Sequence, residues 1–364
     1  MSTVLITTAV ITGLCALFAV VLTIADKYIA DYGEVNLLIN DEKEYIVEGG
    51  NTLLDTLRNE KVFIPSACGG KGSCGYCKVK VLEGGGPVLA TEKPWLTPEE
   101  LELDVRLSCQ CKVKEDIKIS IPEELFNVKE YDAKVVDIEV MTDKIKKFRF
   151  ELPEGEKINF KPGQYIQVKA PVYDGNDEEV YRAYSVASSI TDEKHVETLI
   201  GFTGGICTTY MHDFVNVGDE VNINGPYGDF YYHDGDSEMV LVAAGTGFAP
   251  IRSILYHMKD NDIKRKARFY FGARTEEDLF LLDEMKMFEE TLHDFKFMPT
   301  LSRTGEDSDW TGDKGRVNNS IEKYLEKDGD YEAYLCGSPV MIESIVGSLQ
   351  EKNVPNEKIY FDEF

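Results

Sequence analysis

Cys68-Gly69-Gly70-Lys71-Gly72-Ser73-Cys74-Gly75-Tyr76-Cys77 decides how this chain is read. The segment spells C-x5-C-x2-C, and a fourth thiolate is available at Cys109, after 31 intervening residues. Four thiolates are what an iron–sulfur cluster needs. The glycines among them supply positive φ angles and close backbone approach, so that a loop can wrap a small anionic cluster and turn N–H groups toward its sulfurs. Zinc favours paired C-x2-C knuckles, and only one is present here. Cys111 lies beside Cys109 in Arg106-Leu107-Ser108-Cys109-Gln110-Cys111. On a strand both would point to the same face, so spacing alone leaves the fourth ligand open between them.

The chain around this loop has 364 residues, enough for two or three domains. Its 65 acidic and 39 basic residues give a net charge of −26, which repels a phosphate backbone and argues against nucleic-acid binding. A content of 43% hydrophobic and 11% aromatic residues excludes whole-chain disorder. Eight cysteines are too few for a disulfide scaffold at this length. The five histidines show no ligand spacing.

Residues 4–25 read VLITTAVITGLCALFAVVLTIA, with no charge and no proline. As a helix this run is ~33 Å long, against a hydrocarbon core of ~30 Å. A signal peptide would carry a basic n-region and a shorter apolar run. A single membrane anchor is therefore expected, within a segment 1–32. Lys27, on its C-terminal side, puts the remainder in the cytoplasm. Cys15 reads as a small apolar residue of the span.

Three further segments follow. Residues 33–130 hold a hairpin (35–39 and 44–47), a helix capped by Asn51 or Thr52 and running to Arg58, and a strand at 78–81. In residues 131–235 the strands 134–140, 146–152, 165–169, 196–202 and 220–223 are punctuated by Gly and Pro, as in an antiparallel β-barrel. In residues 236–364 strands at 239–243, 268–272, 296–300 and 331–336 alternate with helices, one starting at Pro250. That pattern is α/β and doubly wound. Within it Gly245-Thr246-Gly247 follows a buried strand and opens a helix, which places a helix N-terminus at a pyrophosphate. Pro250 stands where the full G-x-G-x-x-G fingerprint has its third Gly. Glu276, Glu277 and Asp278 follow the next strand, and a carboxylate there repels a 2′-phosphate, favouring NADH over NADPH. Cys336-Gly337-Ser338-Pro339 ends the last long strand. A core cysteine is its ordinary reading, but Gly and Pro at a strand's C-terminal end favour a site.

Several of these motifs are familiar. The cysteine loop, Glu83-Gly84-Gly85-Gly86 and Arg106–Gln110 together resemble a ferredoxin domain with a [2Fe–2S] cluster. The resemblance implies a β-grasp α+β fold, with Cys68, Cys74, Cys77 and Cys109 as metal ligands. Arg182-Ala183-Tyr184-Ser185 resembles the R-x-Y-[ST] motif of the ferredoxin–NADP reductase superfamily. Gly205-Ile206-Cys207-Thr208 resembles its G-x-x-[ST] phosphate segment, and residues 225–230 resemble the turn that ends its flavin domain. These eight motif residues are thereby implied in FAD binding, with Ser185 near the reactive N5. Gly245, Thr246, Gly247 and Pro250, with Gly272, Ala273 and Arg274, are implied at NADH. By the same resemblance Cys336 and Gly337 lie near the nicotinamide C4, and Phe364 stacks on the flavin until nicotinamide displaces it. Ser185, Cys336 and Phe364 are then the catalytic candidates.

The order of anchor, ferredoxin, FAD barrel and NADH domain resembles the F subunits of the Na+-translocating NADH:quinone reductases. It implies a relay from NADH through FAD and [2Fe–2S] to other subunits of a membrane redox complex, with quinone reached through them. The protein would then be single-pass in the inner membrane with its domains on the cytoplasmic side. The sequence departs from that family between Pro171 and Arg182, where the F subunits carry a longer insertion. Two other expectations follow: a membrane-tethered NADH reductase serving an oxygenase or another soluble acceptor, and a flavin-based redox-sensing binding module.

Overall fold

The computed structural model describes residues 2–29, 32–305 and 309–363. It forms two units, Met1–Val128 and Lys129–Phe364.

The first unit opens with helix α1 (Ser2–Ile29). Its described side chains, residues 6–8 and 10–21, are exposed, among them Ile6, Leu14, Leu17 and Phe18. The rest of the expected span, residues 4, 5, 9 and 22–25, falls outside the described side chains. Counted on the described residues alone, no helix is long and apolar enough to cross a membrane.

After α1 come β1 (Glu34–Ile39), β2 (Lys43–Glu48), α2 (Leu53–Asn59), β3 (Lys78–Glu83), α3 (Pro98–Glu102), β4 (Val105–Leu107) and β5 (Ile117–Ser120). The strand order is β2-β1-β5-β3-β4. Only the central β1 and β5 pair in parallel, Leu37 opposite Ile117. Alternation on β1 sends Val35, Leu37 and Ile39 into the core. There they meet Leu53, Leu54 and Leu57 of α2, whose Thr52 cap accepts the Asp55 N–H. A mixed sheet grasping one helix is the α+β arrangement expected for this segment.

The second unit begins with β6 (Lys129–Val140), β7 (Ile145–Glu151), β8 (Tyr165–Ala170), β9 (Val180–Ser185), β10 (His195–Gly201), the short helix α4 (Ile206–Thr209) and β11 (Glu220–Tyr227). The antiparallel order β10-β7-β6-β11-β8-β9 closes through a bridge between Val186 and Thr198 and the Ala187 N–H to Glu197 carbonyl bond of 2.7 Å. Phe148, Phe150, Ile166, Val168 and Ile223 fill the barrel. The segment 180–185 is thus a barrel strand in its own right, one absent from the strands expected from the sequence.

The chain continues with β12 (Glu238–Ala244), α5 (Phe248–Asp260), β13 (Ala267–Ala273), α6 (Leu282–Thr291), β14 (Phe295–Leu301), β15 (Asp313–Lys314), α7 (Val317–Tyr324), β16 (Tyr331–Gly337), α8 (Pro339–Glu351) and β17 (Ile359–Glu363). These strands are all parallel, in the order β15-β14-β13-β12-β16-β17. The order reverses between β12 and β16, so a crevice opens at their C-terminal ends. α5 begins at Phe248, not at Pro250. Proline is tolerated in a first helical turn, where its missing N–H has no partner to lose. The tail is edge strand β17, with Phe361 opposite Leu335. Ala187, Leu199, Phe230 and Tyr232 share one apolar core with Leu241, Phe248 and Tyr334, which joins barrel to α/β sheet.

Candidate electron-transfer site

Four glycines of the cysteine loop carry the positive φ angles its function requires: 67° at Gly69, 88° at Gly70, 70° at Gly72 and 72° at Gly75. The thiols come together in two hydrogen-bonded pairs, Cys68 with Cys74 and Cys77 with Cys109. The bond from Cys74 pulls the Cys68 thiol below its ordinary range, and the bond from Cys77 does the same for Cys109. Cys74 and Cys77 are pushed up by the same bonds and by burial. Among the described residues no three His, Cys, Asp or Glu side chains are set to hold a single metal ion. Two thiol pairs instead suit a two-iron cluster, each iron taking one pair.

Cys111 is not part of this group. Residues 108–110 form a turn, not a strand, so Cys109 and Cys111 diverge. The Cys111 thiol lies 3.6 Å from the Gly85 carbonyl oxygen, and burial raises its pKa. The nearby charge is Arg106, which bonds Glu92 through two nitrogens at 2.9 and 2.6 Å and donates to the carbonyls of Gly85, Gly86 and Pro87 at 2.7, 2.8 and 3.1 Å. Glu92 has no sequence signature at all. The Ser108 hydroxyl is fully buried beside the Cys77 thiol, with no other partner.

In the barrel, Arg182, Ala183, Tyr184 and Ser185 lie on β9 opposite Val168, Gln167, Ile166 and Tyr165. An Arg182 Nη1 donates to the Tyr181 carbonyl at 2.8 Å. The Tyr184 hydroxyl is buried against the Cys207 thiol with no other partner, and burial pushes the thiol up to about 11. β9 and α4, far apart in sequence, thus meet side by side. Gly205 caps α4 and is exposed, Ile206 follows it, and the Thr208 hydroxyl turns back to the Gly205 carbonyl at 3.0 Å. Tyr173, which the sequence reading missed, donates to the Ile206 carbonyl at 2.9 Å and packs its ring on Tyr210 and Phe214. A guanidinium, an exposed glycine backbone and a buried phenol with spare bonding capacity form a fitting donor set for a flavin dinucleotide.

A cavity of about 610 Å³ opens at the C-terminal ends of β12, β13 and β16. Its lining includes six of the expected residues: Gly245, Thr246, Gly272, Ala273, Arg274 and Gly337. The other expected residues stand behind it. Gly247 packs on the backbone of Cys336, Pro250 is buried in α5, and Cys336 is fully buried, with its thiol pKa raised. Asp278 also lines the cavity, and its carboxylate accepts the N–H groups of Arg274 and Thr275 at 3.2 and 3.0 Å. Ser302, after β14, and Arg316 and Asn318, at the cap and first turn of α7, also line it, and sequence reasoning missed them. Phe364 lies outside the described residues.

Residues 37–114 match the 2Fe-2S iron-sulfur cluster binding domain family, 132–232 the oxidoreductase FAD-binding domain family, and 241–347 the oxidoreductase NAD-binding domain family. The fold is similar to that of the Amycolatopsis cytochrome P450 reductase GcoB (TM-score 0.72, 24% identity, 91% of this chain and 98% of that one). It is also similar to the ferredoxin reductase in carbazole 1,9a-dioxygenase (TM-score 0.69, 23% identity, the same coverage). The chain is 35% identical to the F subunit of the Na(+)-translocating NADH-quinone reductase of Idiomarina loihiensis, over 94% of this chain and 95% of the relative. To its counterpart in Neisseria meningitidis it is 33% identical, over 97% of each. The protein is an oxidoreductase that passes electrons from NADH through FAD to a [2Fe–2S] cluster. With these three domains in that order and this identity over nearly its whole length, the chain belongs to the family of Na(+)-translocating NADH-quinone reductase F subunits.

Proposed function

We propose that this chain is the NADH-input subunit of a membrane redox complex of the Na+-translocating NADH:quinone reductase type. The observation that carries this reading is the match to F subunits over 94–97% of the chain. Residues 4–25 anchor it as a single pass in the cytoplasmic membrane, with the rest on the cytoplasmic side and partner subunits relaying electrons to quinone. The uncharged sequence of that run and the exposed apolar side chains of α1 support the anchor. The modules are 1–32, 33–130, 131–235 and 236–364.

Cys68 and Cys74 hold one iron, and Cys77 and Cys109 the other. Arg182 pairs with the flavin pyrophosphate, Tyr184 lies along the ring system, Ser185 reaches toward N5, and residues 205–208 take phosphate through backbone N–H groups. Gly245, Thr246 and Gly247 receive the NADH pyrophosphate, with Pro250 shaping the helix start. Gly272, Ala273 and Arg274 flank the adenosine, and Cys336, Gly337 and Phe364 border the nicotinamide. When bound, the flavin turns a two-electron donor into single electrons that the cluster can accept.

The test is anaerobic stopped-flow absorbance of the detergent-solubilised full chain mixed with NADH. Flavin bleaching followed by loss of the iron–sulfur bands is expected. Flavin bleaching on protein that holds no iron after reconstitution would remove the cluster from the relay. The anchor is tested by sedimentation with membranes through an alkaline wash, and the complex by Na+-dependent quinone reduction in membranes with and without this chain. A second reading, an NADH reductase for a different acceptor, is favoured by the short 171–182 segment, folded down on α4 through Tyr173. Quinone reduction indifferent to deletion of the chain would favour it.

A further inference from the structure

Arg252, on the second turn of α5, is a cation with a side chain only 5% exposed. A charge so buried must be paired from every side. On the α/β side its Nε and Nη2 bond the Glu284 carboxylate of α6 at 2.6 and 3.0 Å. On the barrel side its Nη1 donates to Glu197 of β10 at 2.6 Å and to the Ala187 carbonyl at 2.7 Å. The next residue, Ser253, donates its hydroxyl to the Ser188 carbonyl at 2.9 Å. Glu197 is fixed in turn by Arg149 of β7 at 3.0 Å, and its N–H donates to the Ser188 hydroxyl at 3.2 Å. Two consecutive residues of one helix thus grip two consecutive carbonyls of the barrel.

Both ends of this strut lead to candidate cofactor residues. Ala187 and Ser188 follow Ser185 by two and three positions. At the other end, α5 starts immediately after the turn Gly245-Thr246-Gly247, whose Gly245 and Thr246 line the nucleotide cavity. Thr246 also reaches the end of β10, where a Cβ on Gly201 would stand 3.2 Å from its methyl group.

We propose that Arg252, acting with Ser253 and Glu197, is a positioning residue that fixes the pyrophosphate turn of the nucleotide cavity, and through the Gly247–Cys336 contact its nicotinamide end, against the flavin strand. The inference rests on the reading of residues 182–185 and 245–247 as FAD and NADH contacts. Apolar packing between the two sheets holds them together but is non-directional, whereas forked charge-assisted bonds fix orientation. The step so aligned moves one hydride, two electrons with one proton, from NADH, which is oxidised to NAD+, to the flavin, which is reduced. A reactive pair misplaced by about 1 Å loses roughly 100-fold in rate.

The test uses the full chain loaded with FAD and cluster, as Arg252→Met, Glu197→Gln and the double variant, which leaves no buried carboxylate unpaired at Glu197. Four quantities are read: the limiting rate of flavin reduction, the NADH dissociation constant, the flavin potential, and the temperature dependence of the isotope effect with 4-deuterated NADH. A limiting rate roughly 10- to 100-fold lower is expected in Arg252→Met and in the double variant. NADH affinity and flavin potential should hold, and the isotope effect should become more temperature-dependent. Glu197→Gln keeps hydrogen-bonding capacity and should fall between. A double variant that folds, holds FAD and reduces it within about twofold of the unaltered chain, with an unchanged isotope effect, would overturn the inference and leave Arg252 a purely structural residue. Failure of the unaltered chain to be reduced by NADH would instead overturn the functional reading beneath it.

Discussion

Gly247 and Cys336 meet backbone to backbone: a Cβ built on Gly247 would lie 2.4 Å from the Cys336 carbonyl oxygen. Gly247 has a helical φ of −59°, so close approach, not conformation, requires glycine here. The contact ties the first turn of α5 to the end of β16, across the point where strand order reverses. Gly247→Ala must push that turn off the sheet, an overpacking cost of about 1–3 kcal/mol. NADH affinity should fall roughly tenfold or more, because each 1.4 kcal/mol is a factor of about ten. Gly245→Ala is the contrast. Its φ is 55° and open space surrounds it, so only left-handed strain of about 1 kcal/mol applies. NADH titration of both variants gives the ranking, and an equal loss in both would dismiss the close-approach account.

Cys109 and Cys111 should behave oppositely. Cys109 shares a hydrogen bond with Cys77, whereas Cys111 points at Gly85 and senses Arg106. Cys109→Ala is expected to abolish the [2Fe–2S] absorbance of the reconstituted protein. Cys111→Ala should keep it, at a stability cost of a small buried side chain, about 1 kcal/mol. Iron content and visible spectra decide between them. Loss of the cluster from the Cys111 variant alone would reverse the assignment.

How much of this was legible in the sequence follows from the range of each interaction. The cysteine loop was readable because its requirement is local, and Gly69, Gly70, Gly72 and Gly75 all take positive φ. The turn at residues 245–247 was readable for a related reason, since strand, glycine and helix follow one another directly. Strand β9 was missed because Val-Tyr-Arg-Ala-Tyr-Ser lacks a clean apolar alternation and owes its conformation to pairing with β8. The turn at 108–110 carries no clear sequence signal, so spacing alone left Cys109 and Cys111 undistinguished. Glu92, Arg316 and Asn318 were invisible because their partners or cavity walls come from distant segments.

The Arg106–Glu92 pair makes an acid-sensitive prediction. Burial opposes ionisation of Glu92, but the bonds from Arg106 and from the Leu89 and Leu107 N–H groups outweigh it and hold its carboxyl below the usual value. A depressed carboxyl stabilises the fold fully above its unfolded value of about 4.3 and loses that contribution as pH falls through the native value. The contribution of Glu92 to the thermal stability of the ferredoxin unit should therefore be constant between about pH 6 and 8, and be lost below about pH 4. Glu92→Ala leaves Arg106 buried and unpaired, at about 3–5 kcal/mol. Its melting temperature should fall at neutral pH, and its acid slope should flatten relative to the unaltered protein. A variant that melts with the parent across the range would show the pair to be energetically idle.

Ser108 tests whether the protein tunes the cluster as well as holding it. Its main chain is committed on both sides, the N–H to the Cys77 carbonyl at 2.8 Å and the carbonyl to the Leu54 N–H at 3.1 Å. Its hydroxyl is buried beside the Cys77 thiol without another partner. A hydroxyl in that position donates to the Cys77 sulfur and favours the more negative, reduced state of a bound cluster. If the bond is worth about 1 kcal/mol more in that state, Ser108→Ala should lower the midpoint potential by roughly 40 mV. Potentiometric titration followed by EPR reads this directly. Ser108→Thr keeps the hydroxyl and should keep the potential if the extra methyl is tolerated. A lower potential in the alanine variant but not in the threonine variant assigns the effect to the hydrogen bond. An unchanged potential in Ser108→Ala, with cluster content intact, would show that the hydroxyl faces the sulfur without donating to it.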